Sequence, residues 1–421
     1  MNKKTLLISL LSIPFFEAAA QQVDVSADMR FRYEHRNGYG GLLPDTAKAA
    51  DFVVQRSRII IDYTSPQLKL RISPQSVRIW GDVATNAKTD AAFQMHEAWA
   101  EVSFRQKWAL RAGRQEFNYD DARILGNVDW TMQARSHDAV LLQYKPSAMH
   151  TFHAAAALNA NRESNSKEPY TVPQYRYLQF GWYHGQRNHL AWSLLFLNHG
   201  IPYLREQHEK TAWNQTFGPR ITFQQNAFSA DAAFYAQTGG LAGETLNAWY
   251  CSGNLSYKFA KGWQTGAGFE YLSGKAGDDA SPSYKSFTPW FGTNHKFNGY
   301  MDYFYVGNHL NSVGLTDLYG NLSYEKPAFK ARLTPHFFSS AAPLFADGQK
   351  LKSYLGTELD LTVGFSIIDF VWLNGGCSQM FATSTMERLK GVSNATSGNW
   401  MFLELQINPK LFTIKTVRKS E

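Results

Sequence analysis

Charged residues are scarce in this chain of 421 residues, because Asp, Glu, Lys and Arg together make up only 18% of it. A soluble domain usually carries about a quarter. A bundle of membrane helices would also be poor in charge, but its mean hydropathy would lie far above the −0.37 found here. Aromatic residues, at 15%, and 31 glycines take the place of the missing charges. This mixture is typical of a wall with one apolar face and one wet face.

Long apolar runs are also missing. After Gln21 the longest run covers about 190–197, far below the roughly 20 residues that a membrane-spanning helix needs. The sequence therefore excludes an inner-membrane transporter or channel built from helices.

Cysteine and nucleophile motifs are equally sparse. The two cysteines, Cys251 and Cys377, exclude a disulfide scaffold, and neither has CxxC spacing or histidine partners. No GxSxG or comparable nucleophile motif is present. Some histidines are paired but lack a third ligand: His150 with His153, and His184 with His189. We therefore expect no enzyme, no metal site and no cofactor.

The N-terminus carries the pattern of an export signal. Lys3 and Lys4 form a basic start, 6–16 an apolar stretch, and the alanines at 18–20 a cleavage site before Gln21. We predict that residues 1–20 are a signal peptide and that 21–421 form the mature protein in the outer membrane of a Gram-negative cell.

The rest of the chain alternates between apolar and polar residues with a period of two. Between Val23 and Tyr33 every odd-numbered residue is apolar and every even-numbered one is polar or charged, as in a strand that separates lipid from water. Eighteen such segments are predicted: 23–35, 52–63, 68–83, 93–104, 107–114, 138–145, 151–158, 175–184, 189–197, 216–224, 228–237, 248–259, 263–272, 317–324, 329–338, 354–365, 367–381 and 399–407.

An even number of strands suits the antiparallel closure of an outer-membrane barrel, and a closed ring leaves no edge exposed to lipid. A soluble β-sandwich would need more than one core to bury eighteen strands. We predict an all-β fold, a transmembrane antiparallel β-barrel of about 18 strands.

Connections of two kinds separate these strands. Short polar ones at 104–107, 185–188 and 258–262 predict tight periplasmic turns. Longer, irregular ones predict extracellular loops: 37–51, 115–137, 159–174, 198–215, 274–315 and 338–353.

Arginines concentrate on the predicted lumen side of the strands. Those on or beside the polar register are Arg30, Arg32, Arg56, Arg58, Arg71, Arg78, Arg111, Arg176 and Arg332, while Arg114, Arg123 and Arg135 flank a loop. A ring of guanidinium groups in a constriction selects anions. The alternative is structural, because a barrel wall also needs arginines paired with acids to neutralise buried charge.

One segment resembles the alginate export family of outer-membrane barrels. The resemblance rests on LRAGRQ at 110–115, YDDARILG at 119–126, Trp130, Arg135 and DAV at 138–140. Weaker matches cover nearly the whole mature chain: 77–82, 96–99, 292–297, 299–302 and 314–319.

The resemblance implies an eighteen-stranded monomeric barrel with a positively charged constriction for a polyuronate or another anion. Gly113 and Gly126 would let the chain turn inward, and 295–302 would form a loop at a pore mouth, with an ordinary external loop as the alternative. The constriction set implied by the family is Arg56, Arg58, Arg78, Arg111, Arg114, Arg123 and Arg135, with Glu97 and Asp138 as counter-charges. Arg30 and Arg32, on the lumen register, complete the pore-lining candidates.

The expected function is passive diffusion of anionic solutes, or export of an alginate-like polysaccharide. The alternatives are a generic anion porin for organic acids or oligosaccharides, and a structural or adhesin barrel without transport. A TonB-dependent transporter would need a plug ahead of the first strand. Outer-membrane lipids, the barrel insertion machinery and an anionic solute are the expected partners, without nucleic acid. The tail after Asn408-Pro409 departs from the usual terminal aromatic, and Phe412 is the candidate insertion signal.

Overall fold

The computed structural model describes residues 21–90, 92–395 and 397–416. The predicted signal peptide at 1–20 lies outside these residues. Among the described residues, no helix is long and apolar enough to cross a membrane.

Strands account for most of the described chain. In order they are β1 (Gln21–Asn37), β2 (Ala50–Thr64), β3 (Leu68–Ile79), β4 (Phe93–Phe104), β5 (Trp108–Gln115), β6 (His137–Ser147), β7 (His150–Leu158), β8 (Tyr177–Arg187), β9 (Leu190–Arg205), β10 (His208–Gln225), β11 (Phe228–Leu241), β12 (Glu244–Ala260), β13 (Trp263–Leu272), β14 (Leu315–Lys326), β15 (Phe329–Ser339), β16 (Phe345–Ala346), β17 (Gln349–Lys350), β18 (Tyr354–Ile368), β19 (Val371–Ala382), β20 (Asn399–Ile407) and β21 (Lys410–Thr416). A 3-10 turn covers Asn294–Lys296, and helix α1 covers Ser384–Lys390.

The strands close into a ring. Each barrel strand pairs antiparallel with the next one along the chain, and β20 returns to pair with β1, so that Met29 lies opposite Ile407 and Asn37 opposite Asn399. The short strands β16 and β17 form a separate hairpin. The result is the closed, eighteen-stranded antiparallel β-barrel that the alternation predicts.

The C-terminal segment continues the wall. Beyond the Asn408-Pro409 step, β21 pairs with the first residues of β1, with Val25 opposite Phe412 and Ser26 opposite Lys410 across a register shift. Pro409 has no N–H to give to a ladder, so the last strand is interrupted there and then resumes. The prediction that the eighteenth strand ends at 407 is therefore too short.

Two boundaries near the loop end of the barrel differ from the prediction. Strand β3 ends at Ile79, and 80–83 already belong to a turn. The segment 198–215 is not an irregular loop, because β9 and β10 extend through it and join at Glu206-Gln207, whose φ angles of 53° and 62° form a tight turn. The two strands continue outside the membrane because they remain hydrogen-bonded to each other.

The outer face of the wall is apolar. Ile59, Leu110, Val140 and Phe234, for example, are each about two-fifths exposed or more. Near the rim that carries the short turns, the outward rings stack in a row across neighbouring strands: Trp108 on Tyr144, Tyr144 on Phe152 and Phe152 on Tyr183. Such a row matches the aromatic girdle at a membrane interface.

The inner face is polar on some strands and apolar on others. On β6 to β9 the inward residues include Leu141, Leu178, Phe180 and Leu197, all buried. They are covered because the connection 116–136 folds into the barrel and packs Phe117 and Leu125 against them. The expectation of a wet inner face on every strand is therefore wrong for this quarter of the wall.

Candidate functional site

Two long connections enter the lumen, and we call them loop A (116–136, between β5 and β6) and loop B (273–314, between β13 and β14). In loop A, Phe117, Ile124 and Leu125 are buried, and Asp120 and Ala122 adopt positive φ angles of 53° and 70°. Both loops start where the strands stop pairing. The path of each loop is therefore determined by side-chain contacts and not by the alternation seen in the strands.

Loop A crosses the lumen. Its Arg123 donates from Nη2 to Glu270 Oε2 of β13 at 2.7 Å, and β13 stands eight strands away from β5, nearly opposite in a ring of eighteen. At the other end of the loop, Asp129 accepts from Arg30 at 2.6 Å and from Arg56 at 2.9 Å. Loop A is thus held by ion pairs to facing sides of the wall.

Loop B packs on loop A and on the inner wall. Leu125 and Phe291 form a parallel bridge, and the Gly126 N–H donates to the Phe291 carbonyl at 2.8 Å. A Cβ at Gly126 would lie 2.3 Å from Thr293 Oγ1, so a side chain there would clash with loop B, which agrees with the expectation that Gly126 lets the chain turn inward. Further along, the Met301 N–H donates to Glu358 Oε1 of β18 at 2.8 Å.

The segment 295–302 belongs to this inward part of loop B. His295 stacks on Trp130 of loop A at 4.3 Å between ring centroids, and its Nδ1 lies 3.0 Å from the Asp302 carboxylate. An ordinary external loop would not be buried between loop A and the wall. The expectation that 295–302 packs at the pore is therefore the one that the geometry supports.

Four of the sequence-predicted arginines are paired with acids inside the barrel. Arg30 and Arg56 share Asp28 and Asp129, and Arg32 bonds Glu34 at 3.0 Å and Glu404 at 3.4 Å. Arg32 also lies 3.9 Å above the Trp130 ring. Burial alone would raise the pKa of Asp129, but the Arg56 and Arg30 guanidiniums offset it and hold that pKa below its usual value. Arg123 is the fourth, paired with Glu270.

Three further sequence-predicted pore residues, Arg58, Arg111 and Glu97, face inward and form no ion pair with loop A. Arg58 donates to Gln75 Oε1 at 2.8 and 2.7 Å. Arg111 pairs with Glu101 at 2.7 Å and lies 3.9 Å from the Trp99 ring centroid. Glu97 accepts from Arg71 at 3.1 Å. These three side chains line the wall below the crossing loops. The charges of Arg111 and Glu97 are compensated by Glu101 and Arg71.

Arg78, Arg114 and Asp138 face the outside of the barrel, which corrects their assignment to the pore. Directly paired residues point to the same face of a sheet, and Arg114 pairs with Asp138, two residues before the lipid-facing Val140. They form an exposed ion pair at 2.9 Å.

Arg78 is placed outward by the same reasoning, because it pairs with Gln55 and not with the inward Arg56. It forms its ion pair with Asp90 of the loop that follows β3. Charge is tolerated on the outer face at these strand ends because they approach the rim, away from the centre of the hydrocarbon layer.

Two cavities flank the crossing loops inside the barrel. Cavity I, about 250 Å³, lies against β10–β15, and cavity II, about 350 Å³, lies against loop A and β20. Lys296 and Tyr300 of loop B belong to the linings of both. These two side chains therefore stand where the two open spaces of the lumen adjoin.

Two cations of cavity I have no acidic partner among the described residues. Lys296 Nζ donates to the Asp121 carbonyl at 2.9 Å and Arg332 Nε to Thr334 Oγ1 at 3.2 Å, and neither forms an ion pair with a carboxylate of the described residues. The acids of the same cavity are occupied: Asp231 and Asp121 by Arg220, Glu270 by Arg123, and Asp317 by His336. An anion would find unengaged donors here.

Sequence reasoning did not include Lys296 and Arg220 among the candidates. Lys296 lies in a loop without periodicity, where no pattern tells which side chain points into the lumen. Arg220 sits on β10, inside the predicted strand 216–224, and the polar side of that strand was the available signal. Arg332 was on the polar register and does face cavity I.

A group of possible metal ligands lies where loop A leaves the wall. His96, Glu97 and Glu116 bring ligand atoms within 4.8 Å of one another. The His96 Nε2 and Glu116 Oε1 atoms are 2.7 Å apart, and Glu97 is engaged by Arg71 and by the Trp99 indole N–H. These hydrogen bonds and the Arg71–Glu97 ion pair join the three residues into a network at the start of loop A.

A pH-dependent contact lies in loop B. His309 Nε2 lies 3.0 Å from the Gly314 carbonyl, and the ring packs edge-on against Phe304. Burial lowers the pKa of His309 to about 3, and the Lys390 ammonium acts in the same direction. The unfolded loop takes up a proton near pH 6.5 and the folded loop only near 3, so folded loop B loses stability as the pH falls through this window.

We expect loop B to lose on the order of 2 kcal/mol between pH 7.5 and 4.5. Hydrogen exchange over 300–314, corrected for the intrinsic pH effect, should be faster at pH 4.5, and His309→Gln should remove most of that difference. Equal protection at both pH values in the unsubstituted protein would contradict the prediction.

The closed barrel with two loops folded into its lumen defines the protein as an outer-membrane channel. The family model described as "Alginate export" matches residues 21–315. The chain belongs to the alginate export family, as its 110–140 segment indicates. No curated protein matches the chain.

Solved porin structures share the fold at low sequence identity. OccAB1 of Acinetobacter baumannii is 13% identical with a TM-score of 0.63, covering 93% of this chain and 97% of its own. OccK11 (OpdR) of Pseudomonas aeruginosa is 12% identical with a TM-score of 0.59, covering 93% and 96%. A BenF-like porin from Pseudomonas fluorescens Pf-5 is 13% identical with a TM-score of 0.61, covering 92% and 99%. At these identities the likeness shows the fold alone.

Proposed function

We propose that the protein is a passive, anion-selective channel for small solutes, and that their path runs past Lys296. The observation that carries this proposal is the bonding at cavity I. Its carboxylates are bonded to Arg123, Arg220 and His336, whereas Lys296 and Arg332 form no ion pair with an acid of the described residues. A cation with free N–H donors attracts an anion more strongly in a narrow lumen bounded by protein than in bulk water.

Small solutes are favoured over a polymer because loop A is fixed across the lumen at both ends. A polyuronate chain would have to displace loop A, which means breaking the Arg123–Glu270 pair at 2.7 Å and the Asp129 pairs. Removing one partner of a buried pair is strongly unfavourable. Membership of the alginate export family keeps polymer export as the second candidate, and transport of labelled uronate oligomers into liposomes separates the two by chain length.

Lys296→Glu tests the proposed path. Reversal of one charge beside a narrow path should lower the ratio of chloride to potassium permeability by at least roughly threefold. The measurement is the reversal potential of single channels in planar bilayers under a salt gradient.

Arg114→Glu is the matched control, because it makes the same charge reversal on the outer face of the wall. We expect its reversal potential to equal that of the unsubstituted protein. Equal shifts in both variants, or no shift in Lys296→Glu, would contradict a path past Lys296.

A further inference from the structure

A third cavity opens between the loops at the rim that carries the long connections. It measures about 620 Å³ and is bounded by the end of loop A, the connection 159–176, the extended ends of β9 and β11, and loop B. Its lining includes Arg135, Tyr170, Tyr175, Pro202, Leu241 and Trp290. It shares no lining residue with cavities I and II, so it is a separate space nearer the outside.

Arg135 is the one guanidinium in this lining, and its charge is not compensated. It donates from Nη1 to the Gly292 carbonyl at 3.3 Å and forms no ion pair within the described part of the chain. Arg123, in the same loop, is bonded to Glu270, Asn298 and Asn294. Burial lowers the pKa of Arg135 below its ordinary value. A partly buried cation without a counter-ion is unfavourable, and an anion bound there would relieve that cost.

The rest of the lining sets the shape of the ligand. Tyr170 and Tyr175 are buried, and Trp290, Phe291, Pro202 and Leu241 add aromatic and aliphatic surface. The lining also includes the polar residues Ser136, His137, Thr171 and Gln174, but aromatic and aliphatic side chains make up most of the rest. A pocket with one guanidinium and mainly apolar walls fits a molecule with one anionic head and an apolar or aromatic body. A fully hydrophilic anion would make no favourable apolar contacts with those side chains.

We propose that this cavity is a binding site for amphipathic monocarboxylates, with the carboxylate on Arg135 and the apolar body against Tyr170, Tyr175 and Trp290. The proposed binding depends only on this cavity and not on the channel function. Its use in concentrating solutes at the entrance rests on the proposed channel function.

Equilibrium binding of 2-naphthoate to the full-length protein in lipid nanodiscs tests the site. We expect saturable binding that is at least tenfold tighter than that of 2-naphthamide, which has the same body without the charge, and of acetate, which has the charge without the body. Arg135→Gln should weaken 2-naphthoate binding at least tenfold. Arg162→Gln is the matched control, since Arg162 is exposed and already paired with Glu168 at 2.8 Å, and it should bind as the unsubstituted protein does.

Leu241→Trp offers a second test that leaves Arg135 in place, because the larger side chain fills the cavity and should also weaken 2-naphthoate binding. Equal affinity for 2-naphthoate and 2-naphthamide, or unchanged 2-naphthoate binding in both Arg135→Gln and Leu241→Trp, would overturn the proposal. The Lys296→Glu selectivity measurement contains no 2-naphthoate, so failure of the binding site and failure of the anion path are seen separately.

Discussion

Replacing 118–134 of loop A by a Gly-Ser-Gly linker is expected to raise the single-channel conductance severalfold. Loop A crosses between facing walls and supports loop B, so its removal takes away the main obstruction of the lumen. The wall itself should survive, because Gln115 and His137 pair at the base of the loop and a short linker can join β5 to β6 there. Conductance in planar bilayers measures the change.

The matched control is the same linker in place of 161–167, an exposed part of the connection between β7 and β8. This variant loses a shorter, exposed segment that does not cross the lumen, so its conductance should stay within the spread of the unsubstituted channel. Unchanged conductance in the loop A variant, with the barrel folded, would mean that loop A does not obstruct the path.

Arg56→Met is expected to destabilise the barrel by about 3–5 kcal/mol. Arg56 is fully buried and bonds Asp28 and Asp129, so its loss leaves two carboxylates sharing Arg30 alone. Urea-induced unfolding in lipid vesicles, followed by the loss of heat-modifiable gel mobility, gives the free energy of unfolding.

Two further variants show whether charge imbalance is the cause. Arg56→Met combined with Asp28→Asn keeps the Arg30–Asp129 pair in balance and should recover a measurable part of the loss, because contacting residues are coupled. Arg114→Met removes a guanidinium from an exposed pair and should cost no more than about 1 kcal/mol. Equal losses of unfolding free energy in Arg56→Met and Arg114→Met would show that the buried ion pairs stabilise the barrel no more than the exposed pair does.

The barrel was predictable from sequence because lipid and water impose a period of two on every strand that separates them. In β1 the alternation from Val23 to Tyr33 coincides with a register in which Arg30 and Arg32 point inward and Phe31 outward. The prediction was weakest where pairing, and not lipid, maintains the strand. The β9–β10 hairpin and the β21 extension are examples, since both continue on hydrogen bonds with a neighbouring strand.

The constriction was only partly predictable, for two physical reasons. Near strand ends a charged side chain is tolerated on either face, so composition could not show that Arg78 and Arg114 point outward. Inside the lumen, the loops decide which charges are free. Arg56 and Arg123 resemble pore arginines in sequence, but their ion pairs anchor loop A. Lys296 of loop B, in contrast, forms no ion pair with any described residue.

The sign of the reversal potential of the unsubstituted channel is the most direct test of the proposed anion selectivity. Purified protein in a planar bilayer, with potassium chloride more concentrated on one side, should give a reversal potential with the sign of the chloride equilibrium potential. A reversal potential of zero, or one with the sign of the potassium equilibrium potential, would contradict the proposed anion selectivity.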